Sequence, residues 1–290
     1  MFGIVLIDKP LEFTSHDVVG KLRRKFNTKR IGHAGTLDPM ATGLLVVAVG
    51  PATRFLQYLP LEPKVYRAVI RFGVTTDSYD SEGEITSESP IPNDLANQLE
   101  DVIPSMLGMI EQIPPMYSAV KVQGQPLYKL ARQGIEIERK SRTIHIERMD
   151  VLAMGDATVE LEIECSGGTY VRTIAHELGE RIGCGAFLQS LVRTRIGAFS
   201  LENAKSIDDV SEADLIPLKK ALLPMQIRLL SDLETMRVRN GGAVANLIDA
   251  TDEFVALADP SGEIISVASV LGNVLQPECV IPTEALSGAI

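Results

Sequence analysis

The run Leu44-Leu45-Val46-Val47-Ala48-Val49 limits the fold of this 290-residue chain more than any other feature. Six consecutive apolar residues have the length of a strand but not the alternation of a half-exposed one. The run reads as a central strand covered on both faces, which calls for layers packed on a sheet and so for an α/β (α+β) architecture.

The flanking sequence supplies such layers. Residues 2–7 read as a strand that runs into a turn at Lys9-Pro10. Thr14-Ser15 offers an N-cap to a helix over 15–26, with Val18, Val19, Leu22 and Phe26 at helical spacing and a basic opposite face. Three glycines and a proline predict a loop over 31–43. Further on, the pattern predicts short helices over 52–59 and 126–134 and longer ones over 93–107, 170–183 and 206–228. Strands are expected over 64–73 and 117–122, with hairpins at 142–154/157–165 and 254–257/264–267. The length suggests about two domains. The boundary is expected near 228, with residues 229–290 forming a small β-rich domain.

Three widely spaced cysteines and four histidines without ligand spacing argue against a disulfide framework and a metal site. No apolar run approaches membrane-spanning length, and the N-terminal residues lack the pattern of a signal peptide, so a cytoplasmic protein is expected. The net charge of −10 hides segregation. Residues 1–72 carry 11 basic and 5 acidic side chains, residues 73–112 carry 9 acids and no base, and residues 121–148 carry 7 basic and 3 acidic. Screening confines each charge to about 8–10 Å, so the two basic blocks form either a face for a polyanion or merely solvated surface.

Three places could hold chemistry. Asp38, in Thr-Leu-Asp-Pro, is a turn former by type, but its loop also carries His33 and lies between a basic helix and an apolar strand. Lys64 and Tyr66 share one face of a strand, as a half-buried pair or as an aromatic that stacks on a base. Arg172 falls in the first turn of a helix, where the dipole opposes a cation. It is either exposed or compensated by a buried carboxylate.

Taken together, these segments closely resemble the TruB family of tRNA pseudouridine-55 synthases. The likeness runs through Leu6-Ile7-Asp8-Lys9-Pro10, Gly32-His33-Ala34-Gly35-Thr36-Leu37-Asp38-Pro39 and Lys64-Val65-Tyr66. It continues through Gly73–Asp80, Gln112–Lys121 and Cys165-Ser166-Gly167-Gly168-Thr169-Tyr170-Val171-Arg172-Thr173, and covers about residues 3–200. Ser78 stands where the family often has Thr and Ala34 where it often has Gly, both apart from the expected chemistry.

The resemblance implies a pseudouridine synthase fold over 1–228, with a central mixed sheet flanked by helices, and a PUA-like RNA-binding module over 229–290. It implies that Asp38 is the catalytic aspartate, that Arg172 pairs with it, and that Tyr66 packs on the target base and is a candidate proton acceptor. His33, Tyr170 and Leu191 map onto substrate-contacting positions. The implied substrate is the T arm of tRNA, bound by a monomer that needs no cofactor and no metal. A tRNA-folding chaperone and a guide-dependent rRNA pseudouridine synthase are the alternatives.

Overall fold

The computed structural model describes residues 1–282 apart from 119, 120, 123 and 132. The chain forms two compact units. One comprises Met1–Asp38, Leu44–Leu61 and Ala198–Ile290, the other Pro39–Gly43 and Glu62–Gly197.

In the first unit, Leu44–Val49 is strand throughout, and all six of its residues are fully buried. It lies beside Gly3–Lys9 and pairs antiparallel with Ile31–Ala34, Ile31 opposite Val49. The helix Ser15–Lys25 covers one face. Its Val18, Val19 and Leu22 meet Val5, Ile7, Leu45, Val47 and Val49 in one core. The helix starts where the sequence signals it. Thr14 and Asp17 cap it reciprocally, the acid sits at the positive end of the dipole, and Arg23, Arg24 and Lys25 sit at the negative end. It stops at Phe26, after which Asn27 turns left-handed (φ +46°).

A five-stranded sheet follows toward the C-terminus, in the order Ile227–Leu229, Phe254–Ala258, Ile264–Leu271, Val274–Val280, Val244–Ala245. Only its first pair is parallel. The expected hairpin is present at its centre, over a core of Leu230, Val238, Val255, Leu257, Ile265 and Leu275.

The second unit is built on a mixed sheet. The start of the Ala41–Val49 strand pairs parallel with Ala186–Ile196. From there Lys64–Phe72, Thr158–Cys165, Arg142–Met154 and Gly108–Gln112 follow, all antiparallel. The helix Val171–Ile182 packs on the Ala186 and Lys64 strands. It approaches closely because residue 179 is glycine: a Cβ there would lie 2.1 Å from the backbone nitrogen of Ala186.

Three expectations are corrected. The loop over 31–43 is shorter, since strands occupy Ile31–Ala34 and begin again at Ala41. The helix over 52–59 is a 3-10 helix, Gly50–Tyr58, opened by a proline. No long helix spans 206–228. Pro217 and Pro224 interrupt it, leaving the short turns Glu212–Asp214 and Leu218–Ala221 and the strand Ile227–Leu229. The strand Ala186–Ile196 was not anticipated, because Gln189, Ser190, Arg193, Thr194 and Arg195 hide its apolar pattern. Of the elements expected over 117–122 and 126–134, a strand is present at Lys121–Val122 and a helix at Leu127–Ala131, residues 117 and 118 form a bend, and 119, 120 and 132 lie outside the described residues.

Candidate active site

The loop that carries Asp38 is tied down from the helix before it. The buried hydroxyl of Ser15 accepts from the backbone N–H of Leu37 (2.9 Å) and donates to its carbonyl (3.3 Å), one residue ahead of the aspartate. Leu37 is itself buried and Pro39 restricts the backbone that follows, so Asp38 is presented half-buried on a short, anchored loop. His33 lies in the strand that feeds the loop, and its ring meets the edge of His16 at 5.5 Å. Beside it opens a cavity of about 480 Å³ lined by Phe13, His16, Lys21 and Arg24 among others. The Lys21 ammonium lies 5.6 Å from the centre of the Phe13 ring.

In the second unit, Tyr66 and Leu191 share a sheet face. Tyr66 is opposite Arg193, and Leu191 is opposite Ala68, two residues further along the same strand as Tyr66. Tyr66 and Leu191 are each 7% exposed. Lys64 belongs to the same face, as expected. Burial, with Arg193 nearby, holds its ammonium below the usual lysine range. Gly43 lets this part of the sheet close up: it has φ +95°, and a Cβ there would sit 2.5 Å from the Arg193 carbonyl oxygen.

Tyr170 and Arg172 stand at the head of the Val171–Ile182 helix. The side-chain amide of Gln112 donates to the Tyr170 carbonyl (3.1 Å) and accepts from its N–H (2.7 Å). Gln112 is wholly buried, so this reciprocal pair fixes the helix start where an ordinary capping side chain is absent. The guanidinium groups of Arg142 and Arg172 lie 5.3 and 5.7 Å from the Tyr170 ring centre.

Arg172 is compensated by a buried carboxylate, one of the two outcomes open from its position in the chain. Its Nη1 donates to Oδ2 of Asp80 at 2.9 Å, with the two residues 5% and 1% exposed. The other oxygen of Asp80 accepts from the Ser78 hydroxyl (2.6 Å) and the Glu82 N–H (3.1 Å). This answers the desolvation of the pair, since a buried carboxylate needs its lone pairs filled. Ser78, which stands where the family often has Thr, therefore supports the carboxylate partner of Arg172. Asp80 itself, like the buried Arg193 on the Ala186 strand, was not singled out. An acid in a turn-rich acidic stretch looks like surface until the fold shows what covers it.

Asp38 and His33 thus belong to the first unit, and Tyr66, Tyr170, Arg172 and Leu191 to the second. Among the described residues no cluster of three or more histidines, cysteines or carboxylates could hold a metal, and no helix is long and apolar enough to cross a membrane.

This fold is that of the pseudouridine synthases. A solved Cbf5-Nop10-Gar1 complex matches with a TM-score of 0.73 and 26% identity over 98% of this chain and 86% of that one. An H/ACA ribonucleoprotein bound to a substrate RNA matches at 0.71 and 23% identity, over 97% and 86%. Residues 23–171 match the N-terminal domain of the TruB family pseudouridylate synthases, and residues 172–229 match the tRNA pseudouridylate synthase B C-terminal domain. A tRNA pseudouridine synthase B of Syntrophotalea carbinolica is 50% identical over 210 residues, 72% of this chain and 69% of the relative. The protein of that name from Mycobacterium tuberculosis is 39% identical over 293 residues, 97% and 98% of the two chains. The chain belongs to the TruB family of pseudouridylate synthases.

Proposed function

We propose that this protein is a tRNA pseudouridine synthase that isomerises uridine 55 in the T arm of tRNA. The observation that carries the reading is the near full-length match to the M. tuberculosis tRNA pseudouridine synthase B. In this reading Asp38, Tyr66 and Arg172 are the catalytic residues, and His33, Tyr170 and Leu191 contact the substrate. The protein works as a cytoplasmic monomer. Residues 1–228 form the catalytic domain, and residues 229–290 are a PUA-like RNA-binding domain.

The chemistry suits these side chains. The N1–C1′ bond breaks, the uracil turns while still bound, C5 joins C1′ and gives up its proton, and N1 takes one up. Nothing is gained or lost overall, so neither cofactor nor energy source is required. Cleavage builds positive charge at the sugar carbon, which a carboxylate such as Asp38 stabilises or captures, as in glycoside cleavage. The target nucleotide has to leave its stack, at a cost of a few kcal/mol. Contact with Tyr66, Tyr170 and Leu191 offsets that cost. The basic stretch over 21–30 and the basic block over 121–148, apart from its carboxylate-paired Arg148, grip the RNA backbone, while the shape of the T loop sets the target.

The test is incubation of the purified protein with a bare T-arm stem-loop, followed by pseudouridine mapping. Wild type is expected to convert position 55 without guide RNA or partner protein. Asp38→Asn is expected to bind the stem-loop and leave it unmodified, and turnover by that variant removes Asp38 as the catalytic group. The likeness to the Cbf5 complex keeps a guide-dependent reading in view. Conversion only when a guide ribonucleoprotein is supplied would favour it. Refolding of misfolded tRNA by Asp38→Asn would add the chaperone role.

A further inference from the structure

Tyr79 is an aromatic residue with a left-handed backbone, φ +67°. That conformation is uphill for a side chain of this size and persists only where the surroundings impose it. Two contacts do so. Its carbonyl accepts from the N–H of Leu188 (2.9 Å) at the edge of the Ala186 strand, where Asp80 forms a parallel bridge with Leu188. Its ring lies flat on that of His176, with centroids 3.8 Å apart and planes 8° from parallel.

His176 is four residues after Arg172, so both project from one face of the Val171–Ile182 helix, a turn apart. Two neighbouring residues of the loop thus meet two stacked positions of the helix: Asp80 takes Arg172, and Tyr79 takes His176. The imidazole acts here as a flat surface. Its Nδ1 is buried with no hydrogen-bond partner among the described residues, and burial lowers its pKa, which favours the neutral ring. Tyr79 also lines a cavity of about 230 Å³ with Asp77, Tyr117 and Arg139.

We infer that His176 and Tyr79 are positioning residues, a ring stack that holds the Tyr79 backbone left-handed and thereby aims the Asp80 carboxylate at Arg172. Without the stack the turn relaxes, Asp80 withdraws, and the guanidinium loses its fixed orientation. The catalytic consequence rests on the function proposed above; the geometric one does not.

Two measurements on the full-length protein test this. The first is solvent exchange of the Arg172 guanidinium protons by ¹⁵N NMR. His176→Ala is expected to raise the exchange rate at least tenfold, and His176→Phe, which keeps a flat ring and no nitrogen, is expected to restore it. The second is single-turnover pseudouridine formation at saturating tRNA. His176→Ala is expected to slow it about tenfold with unchanged tRNA affinity, with recovery in His176→Phe. Tyr79→Gly accepts the same backbone angle and removes the ring, and it is expected to repeat the alanine result should His176→Ala fold poorly. Unchanged exchange in the alanine and glycine variants, or no rescue by phenylalanine, overturns the inference. A loss of affinity in step with rate also overturns it, because the pair would then be contacting RNA. A wild-type protein that forms no pseudouridine would sink the proposed function, while the exchange comparison would still decide the brace.

Discussion

The sheet of the second unit and the Ser15–Lys25 end of the first unit treat their positive charge in opposite ways, although elsewhere in the first unit Arg228 and Arg239 pair with Glu234 and Asp259. On the open face of the second unit's sheet, cations are neutralised in place. Arg148 meets Glu162 at 2.8 Å and Glu164 at 3.5 Å as well as Asp150, Arg195 meets Glu164 at 2.7 Å, and Arg67 approaches Glu162 at 3.9 Å. In the first unit, Lys21, Arg24, Lys29 and Arg30 are exposed, and among the described residues none meets a carboxylate within 4.0 Å. Asp17, the acid nearest in the helix, is occupied in capping Thr14. Charge counted along the sequence cannot separate these cases, because both regions are rich in arginine and lysine. Register separates them. Antiparallel pairing sets Glu162 across from Arg67 and places Glu164 and Arg195 on either side of Val65, whereas the helix turns its cations to water. A polyanion gains counterion release only from cations not already paired, so the first unit's helix is the better grip.

The comparison breaks most visibly at the buried pair. Arg172→Ala leaves Asp80 1% exposed beside an empty site, with Ser78 and Glu82 still holding its other oxygen. Removing one partner of such a pair costs about 3–5 kcal/mol. Urea unfolding should show that loss together with a fall in pseudouridine formation. Arg172→Met, which fills the volume but brings no charge, should not recover the stability, since the deficit is an uncompensated carboxylate. Recovery by Arg172→Met would mean that packing, not charge, sets the cost.

A smaller effect, of different kind, is expected at the unpaired cations. Lys21→Ala with Arg24→Ala should leave unfolding unchanged and weaken tRNA binding. The slope of log affinity against log salt should fall by about 1.5 if each cation meets one phosphate, given roughly 0.7–0.9 per contact. Affinity loss with an unaltered slope would show that the two act on something other than the phosphates. The cavity of Phe13 and His16 beside them offers such a route through stacking.

What could be read from the chain divides along the same physical line. The capped Ser15 helix, the Leu44–Val49 strand and the hairpin at Gly155-Asp156 are local, set by caps, apolar runs and a turn, and they appear where the sequence puts them. The Ala186–Ile196 strand is not local. Its Arg193 is 1% exposed yet polar by type, so the strand shows itself only once its neighbours are in place. The same holds at the site. That Arg172 is either exposed or met by a buried carboxylate follows from its place in the first helical turn. That Asp80 supplies one, 92 residues earlier, depends on the tertiary fold. The anchoring roles of Ser15 and Gln112 are not legible in the sequence because their work is to hold backbone: each satisfies both the N–H and the carbonyl of one distant residue, a task with no sequence pattern.

The smallest expected effect sharpens the contrast from the other side. Arg148 has three carboxylate neighbours but stays 41% exposed, and solvent screens what the network gains. Arg148→Ala should therefore cost no more than about 1 kcal/mol in unfolding and leave tRNA affinity and its salt slope untouched, although arginine has been removed in both this case and that of Arg24. The measurement is the pair of salt titrations side by side. If Arg148→Ala lowers the slope as Arg24→Ala does, RNA must be able to pull a guanidinium away from Glu162 and Glu164. Pairing on the sheet would then no longer distinguish the two units as RNA-binding surfaces.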